Sequence, residues 1–293
     1  MVGGYQVKQG IILAIASSFI FSTMNVFVKA ASEEIPVTEI VFFRSVIGAL
    51  IIYFFMKRDK IPFSKKGIPL LVLRGALGAL YLLAYFFTIA HMPLGDASIL
   101  AHLSPFFAIL LSSYFLKERM SKEMFMIFPL FILGAVLLID PFRFDSYTVY
   151  ALVGFLSAFL AACAATSIRF LSAAHHKYEI VFYFLAAGTI VAVPLMWNEF
   201  VLPSLIGWFY LICIGVVSLI GQIVLTSAFT HENIIVVEVV RYIGIFFNIM
   251  WGFVIWGETT SFLSVVGGAI IIAASIISSK QKNTVDTLKR QVN

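Results

Sequence analysis

EIVF, residues 39–42, recurs as EIVF at residues 179–182, 140 residues further along the chain. At this offset the two halves of the sequence align without a gap over most of their length. The match includes Glu, His and Gly residues, which chance pairing of apolar segments does not readily supply. The pairs are Ser17 and Ser157, Lys29 and Arg169, Gly48 and Gly188, Gly75 and Gly215, His91 and His231, Glu118 and Glu258, and Ser121 and Ser261. The sequence therefore predicts two structurally similar halves.

The composition indicates an integral membrane protein. Of the 293 residues, 61% are hydrophobic and 12% are charged, and the mean hydropathy is +1.01. Soluble domains contain roughly 45–50% apolar and about 25% charged residues. Cys163 and Cys213 lie in apolar runs without the spacing of a metal site or a disulfide framework. The first apolar run, 10–31, is too long for a cleavable signal, and we expect it to be the first membrane span.

Ten segments are long and apolar enough to cross a bilayer as helices, which takes about 20 residues. They are 10–31, 36–56, 68–90, 95–116, 124–140, 148–171, 179–197, 205–229, 233–256 and 262–279. The fold class that we predict is all-α, with five transmembrane helices in each half. Because five is an odd number, the second half must cross the membrane in the opposite sense to the first.

The distribution of Lys and Arg predicts the orientation. If the N-terminus is cytoplasmic, fourteen of these residues fall in inside loops and tails, whereas only Arg143 and Lys29 fall outside or near the outer end of a span. We therefore expect both termini to be cytoplasmic, in a multi-pass protein of the cell membrane. The predicted units are a first repeat over 10–140, an inverted repeat over 148–279 and a disordered tail over 280–293.

The stretch LSPFFAILLSSYFLKERMSKEMFMIFPLFILGAVLLI, residues 103–139, resembles the repeat of the EamA-like family in the drug/metabolite transporter superfamily. Its features are the helix with Pro105, the helix end at residues 116–119 and the last helix with Gly134. The second copy has Gly257-Glu258 and Gly267-Gly268 at the matching places. The resemblance covers about residues 10–279 and implies transport of small molecules without naming a cargo.

The chemistry of a site is indicated by VVEVVRYIGIFFN, residues 236–248, where Glu238 and Arg241 interrupt an apolar span. A charge inside a bilayer is costly, and such residues usually pair or face a water-filled cavity. On a continuous helix Glu238, Arg241 and Tyr242 would share one face. Their positions in the other half are occupied by Ser98, Ala101 and His102. We therefore predict that two repeat-related helices line one translocation cavity, although a Glu238–Arg241 pair that only neutralises itself stays open.

Further polar residues within spans are candidates for the same cavity, and each could instead serve helix packing. The complete set of predicted substrate-binding residues is Arg241, Glu238, Tyr242, His102, Ser98, Asn25, Tyr81, Tyr85, Gln222, Asn248 and Trp251. Gating or structural roles are predicted for Arg44, Pro105, Glu118 and Glu258. Arg74 and Arg169 lie near the ends of their spans and are expected to extend towards lipid headgroups.

The function predicted from these features is secondary transport of a small polar metabolite by alternating access. A mildly positive cavity favours an amino acid or a related zwitterionic or anionic solute. The alternative is efflux of cationic or aromatic compounds, with proton coupling through Glu238. No catalytic constellation, metal site or cofactor motif is recognisable, so neither an enzyme nor a cofactor is predicted, and proton or sodium coupling stays open. The expected partners are the solute and the lipid bilayer but no nucleic acid, in a monomer or homodimer.

Overall fold

The fold was analysed in a computed structural model of the chain. It describes residues 2–104, 106–107, 111, 129–130, 132–134, 136–137, 146–171, 174–231, 237, 240–274 and 277. Pro105, Glu118, Glu238, most of the predicted span 124–140 and the predicted tail 280–293 lie outside these ranges.

Within the described ranges the protein is helical, without strands. The helices are α1 (Val2–Ala31), α2 (Val37–Arg58), α3 (Ile68–His91), α4 (Leu94–Ala101), α5 (Ser146–Leu171), α6 (Lys177–Met196), α7 (Leu205–His231), α8 (Ile243–Trp256) and α9 (Phe262–Ala274). Proline and glycine mark several of their ends. Pro36 and Pro93 precede α2 and α4, where a missing N–H costs nothing. Gly257 follows α8 at φ 65°, a left-handed conformation that glycine adopts without strain.

Six of the described helices are long and apolar enough to cross a membrane, and α8 and α9 are shorter apolar helices. Their outer surfaces carry large apolar side chains, such as Leu50, Phe54, Ile190 and Leu205, which are 63–91% exposed. A soluble protein does not present such a surface to water. The molecule is a multi-pass membrane protein, and its number of spans beyond six stays a prediction.

Helices from the two halves of the chain pack against each other. α1 packs on α7, α3 on α5, α2 on α6 and α4 on α8. If each helix is exchanged for its counterpart 140 residues away, the first three of these contacts are unchanged, whereas the counterparts of α4 and α8 lie mostly outside the described residues. The packing between α2 and α6 is symmetric at the level of single residues. Gly48 lies against Leu185, and the contact between the equivalent positions is Gly188 against Ser45. The absence of a side chain at each glycine lets the two helices approach closely.

Two buried glutamates attach the loop of one half to a helix of the other. Glu179, 1% exposed in the first turn of α6, accepts hydrogen bonds from Ser64 N at 2.6 Å and Ser64 Oγ at 2.8 Å. Glu39, fully buried in the first turn of α2, accepts one from Val201 N at 3.1 Å. A helix N-terminus favours a negative charge. We call these contacts the glutamate clasps; they fasten the α2–α3 loop to α6 and the α6–α7 loop to α2.

Two predicted spans are not continuous helices. The segment predicted at 95–116 leaves helical geometry at His102-Leu103, and the segment predicted at 233–256 does so at Arg241-Tyr242. At both places the backbone makes tighter i to i+3 hydrogen bonds, including Phe106 N to Leu103 O at 3.0 Å and Gly244 N to Arg241 O at 2.8 Å. Such turns within a helix often occur at functional positions. The single helical face predicted for residues 238–248 is therefore interrupted at Arg241.

Replacing Glu179 with Ala tests the clasp at α6. The substitution leaves the Ser64 backbone N–H without its charged acceptor, and we expect the free energy of unfolding to fall by about 2–3 kcal/mol. Thermal unfolding of the purified protein in detergent would measure the change. Glu199→Ala, at an exposed position of the α6–α7 loop, is the control and should leave the melting temperature unchanged. Equal melting temperatures for the two variants would contradict this role of Glu179.

Candidate functional site

The two interrupted helices meet where they break. Tyr242 Oη donates to the backbone oxygen of His102 at 3.1 Å, and His102 Nε2 lies 3.2 Å from the backbone oxygen of Arg241. Their rings are 5.2 Å apart. At the first break the Tyr242 hydroxyl thus supplies the His102 carbonyl with a hydrogen bond from the other broken helix, whereas the Arg241 carbonyl also accepts from Gly244 N in its own half. We call this arrangement the broken-helix crossing.

A buried polar network lies beside the crossing. Asn248 Nδ2 donates to Ser98 Oγ at 3.1 Å and to Gly244 O at 2.8 Å. Asn25 Nδ2 donates to Asn248 Oδ1 at 3.0 Å and to Tyr85 Oη at 2.9 Å. Asn25, Ser98 and Asn248 are at most 4% exposed, and Tyr85 is 8% exposed. The network thus joins α1, α3, α4 and α8 by side chains that were all predicted for the cavity.

Two polar atoms near this network are buried without a hydrogen bond. They are Asn25 Oδ1 and Trp251 Nε1, one acceptor and one donor. Trp251 lies one turn beyond Asn248 on α8, and its ring is 6.2 Å from that of Phe19 on α1. Buried polar atoms are rarely left unpaired. An acceptor and a donor of this kind are suited to a polar solute.

The predicted charged residues are only partly placed. Arg241 is half-buried at the break. Its backbone oxygen lies near the His102 ring and 3.5 Å from Ser18 Oγ. Its guanidinium is within electrostatic range of Tyr85. Glu238 is outside the described residues, so the proposed pairing with Arg241 stays a prediction. Tyr81 stacks on Tyr85, with ring centroids 5.8 Å apart.

The remaining cavity candidate, Gln222, lies elsewhere. It lines a small cavity between α2, α6 and α7 together with Arg44, Phe184 and Ser218.

Arg74 departs from its expected position, because it is only 6% exposed and does not extend to a headgroup layer. Gly78, one turn further on α3, leaves space for the Arg74 guanidinium, which a Cβ there would contact together with Phe184. The side chain of Arg169 is outside what the structure describes.

Glu258 forms an ion pair that connects three parts of the chain. Lys29 Nζ at the end of α1 pairs with Glu258 Oε1 and donates to Met92 O at 2.8 Å. Glu258 Oε2 accepts a hydrogen bond from Leu94 N, at the start of α4, at 2.9 Å. The ammonium of Lys29 also lies 5.6 Å from the ring centroid of Trp256. We call this set of contacts the Lys29–Glu258 latch.

Sequence reasoning missed one buried acid and the clasps. Asp96 is 2% exposed in the first turn of α4, where the positive end of the helix stabilises an acid. Its position just after Pro93 was the available signal. For Glu39 and Glu179 the sequence indicated only that they are equivalent positions of the repeat, because the loops that they bind are distant in sequence.

An apolar helical bundle with interrupted helices and a buried polar network at their crossing defines a membrane transporter. Comparison with known proteins agrees with this class. The chain belongs to the EamA-like transporter family, which matches residues 8–140 and again residues 148–280. The resemblance to this family of the drug/metabolite transporter superfamily is thereby confirmed.

Two curated relatives and one solved structure illustrate the similarity. Pseudopaline exporter CntI of Pseudomonas aeruginosa is 53% identical, covering 94% of this chain and 97% of its own. A riboflavin transporter of Brucella anthropi is 26% identical, with 91% and 97% covered. A protein known by crystal structure has a TM-score of 0.63 at 17% identity, covering 91% of this chain and 95% of its own. The last similarity concerns the fold alone.

Replacing Tyr242 with Phe tests the broken-helix crossing. The substitution removes the hydroxyl that satisfies the His102 carbonyl, and we expect a loss of about 1 kcal/mol in the free energy of unfolding. Thermal unfolding in detergent would measure it, with Tyr53→Phe at an exposed position of α2 as the matched control. A melting temperature as high as that of the control would show that the hydroxyl does not stabilise the break.

Proposed function

We propose that this protein is a secondary carrier that exports pseudopaline, or a closely related small polar metabolite, from the cell by alternating access. The observation that carries transport is the broken-helix crossing with its buried polar network. Discontinuous helices at corresponding positions of two halves are typical of carrier binding sites. The cargo and the direction are inferred from the relative that is 53% identical over nearly its whole length.

The alternating-access part of the proposal uses two inverted five-helix repeats. It is supported by helix contacts that are unchanged when the halves are exchanged, and by breaks at positions 102–103 and 241–242. In such a carrier the repeats rock about the central site. The broken-helix crossing would be that centre, and residues 10–140 and 148–279 would be the two moving units.

Within this proposal the solute binds beside Asn25, Ser98, Tyr85 and Asn248. Asn25 Oδ1 would accept a hydrogen bond from an ammonium or amide of the solute, and Trp251 Nε1 would donate one to an oxygen. Arg241 would contribute positive charge from the break. Tyr81, His102 and Tyr242 would complete or support the walls, whereas Gln222 would contribute from the small cavity beside Arg44.

The Lys29–Glu258 latch would close the outer side of the site. With both termini cytoplasmic, the end of α1 and the loop between α8 and α9 lie on the outer face. The latch joins them to the start of α4, so the described conformation would be closed outwards. Glu118 occupies the matching position in the first half and would serve the opposite face.

The alternative cargo, a cationic or aromatic compound coupled to protons through Glu238, stays a prediction from the sequence. The riboflavin transporter relative shows that a carrier similar to this chain handles a different solute. Efflux of a lipophilic dye that Glu238→Gln abolishes would support this alternative.

A transport assay tests the proposed function. Proteoliposomes loaded with pseudopaline should lose it faster than protein-free liposomes. Asn248→Ala should reduce the rate about tenfold or more, because it removes the buried amide that links α1, α4 and α8. Asn198→Ala, at an exposed position after α6, is the matched control. Wild-type liposomes that retain pseudopaline as long as empty ones would refute the cargo.

Labelling tests the latch. In a protein with Cys163→Ala and Cys213→Ala, a cysteine introduced by Ser98→Cys reports access to the buried network, since Ser98 is 1% exposed. We expect Lys29→Gln to increase the rate of its reaction with an impermeant maleimide added outside cells. Lys57→Gln, exposed near the other end of the bundle, should not. An unchanged rate in Lys29→Gln would contradict an outer gate.

A further inference from the structure

Two arginines converge on one aromatic ring in the interior of the bundle. The guanidinium carbon of Arg44 on α2 lies 5.5 Å from the ring centroid of Phe184, and that of Arg74 on α3 lies 4.8 Å from it. Arg44 is 4% exposed and Arg74 is 6% exposed. Each is about 9–10 Å along its helix from the end at which that helix begins. Because α2 and α3 follow each other through a short loop, the side chains approach the ring from opposite ends of the bundle.

Neither arginine pairs with an acidic residue in the part of the chain that the structure describes. Nε and Nη1 of both side chains are buried and make no hydrogen bond. Among the described residues, ion pairs join other groups, namely Lys29 and Glu258, Arg58 and Asp59, and His175 and Glu179. A desolvated cation over an aromatic face gains about 2 kcal/mol, which is less than the cost of burying an unpaired charge. Two such cations together therefore favour the binding of an anion.

The surroundings preserve this arrangement. At Gly78 an added Cβ would lie 2.6 Å from a ring carbon of Phe184 and would contact the Arg74 guanidinium. Beside Arg44 is the small cavity that Ser218 and Gln222 also line. The missing side chain at Gly78 thus leaves room for the Arg74 guanidinium, and Arg44 borders an open space.

The arginine pair is also connected to the broken-helix crossing. Tyr81 lies within electrostatic range of both guanidiniums. It stacks on Tyr85, whose hydroxyl accepts from Asn25 in the polar network. A solute could thus contact the network and the arginine pair at the same time.

We propose that Arg44 and Arg74 form a carboxylate-binding subsite of the transport cavity, an inference that rests on the proposed function. The substrate class is an acidic solute that carries a carboxylate in addition to the groups bound at the network. Guanidinium groups bind carboxylates with charge-assisted and bidentate hydrogen bonds. Arg44 would then bind substrate in addition to any role in gating.

The test uses the full-length protein in detergent with succinate as the probe, and succinamide and sodium chloride of equal ionic strength as comparisons. Succinate should raise the melting temperature of the wild type more than either comparison does. Arg44→Gln and Arg74→Gln should each weaken the apparent affinity for succinate about tenfold or more. Arg58→Gln, on the same helix as Arg44 but exposed, should leave it unchanged.

If a glutamine variant does not purify as a single species, the corresponding Arg→Lys variant keeps the charge and should show a weaker response than the wild type. Equal succinate affinity in the wild type and the arginine variants would overturn the subsite. A wild type that responds to chloride as strongly as to succinate, or to neither, would overturn it as well.

The proposed function has a separate readout in pseudopaline efflux by the wild type. Efflux of pseudopaline without a succinate response would overturn the proposed subsite and would leave the proposed cargo supported. An arginine-dependent succinate response without pseudopaline efflux would overturn the cargo and support the subsite.

Discussion

Backbone groups inside a bilayer find no water, and this constraint shapes the centre of the molecule. Two helices are interrupted there, and a side chain from each of them lies against a backbone carbonyl of the other. The Tyr242 hydroxyl donates to the His102 carbonyl, and the His102 ring lies against the Arg241 carbonyl with Nε2 at 3.2 Å. The break in the first half thus takes a hydrogen bond from the second half, whereas the Arg241 carbonyl also accepts from Gly244 N of its own half at 2.8 Å. The crossing therefore requires both halves to be present, and it fixes α4 and α8 side by side, where the Asn248 amide can reach Ser98.

The same dependence of one half on the other recurs away from the centre. The glutamate clasps connect a helix start in each half to a loop in the other, and the close approaches at Gly48 and Gly188 connect α2 to α6. These contacts hold α2 and α6 together, and so they place Phe184 beside Arg44. The position of the arginine pair is thus a result of packing between the halves.

Much of this architecture is predictable from the sequence, because length and hydropathy determine a membrane helix. The predicted segments 36–56 and 68–90 agree within two residues with α2 and α3. Lone polar residues such as Asn25 and Asn248 were also informative, since burial in lipid without a function is costly. The break at 102–103 had a signal in the sequence, because Pro105 has no backbone N–H to donate to Ala101; the break at 241–242 had none, because neither of its residues is a proline or a glycine. The prediction that Arg74 extends to the headgroups was wrong, because its distance from the helix end fits both a buried and a headgroup position. The absence of a side chain at Gly78 leaves room for the buried position.

The surroundings of Trp256 have an optical consequence. Its indole lies against the Lys29 ammonium and donates through Nε1 to Glu33 at 3.2 Å. A charge held over an indole shifts the energy of its excited state. Separation of Lys29 from Glu258 would move that charge, so the colour of the native fluorescence would change with the conformation of the outer face. The unlabelled protein thus contains a chromophore placed to report on its own conformational cycle.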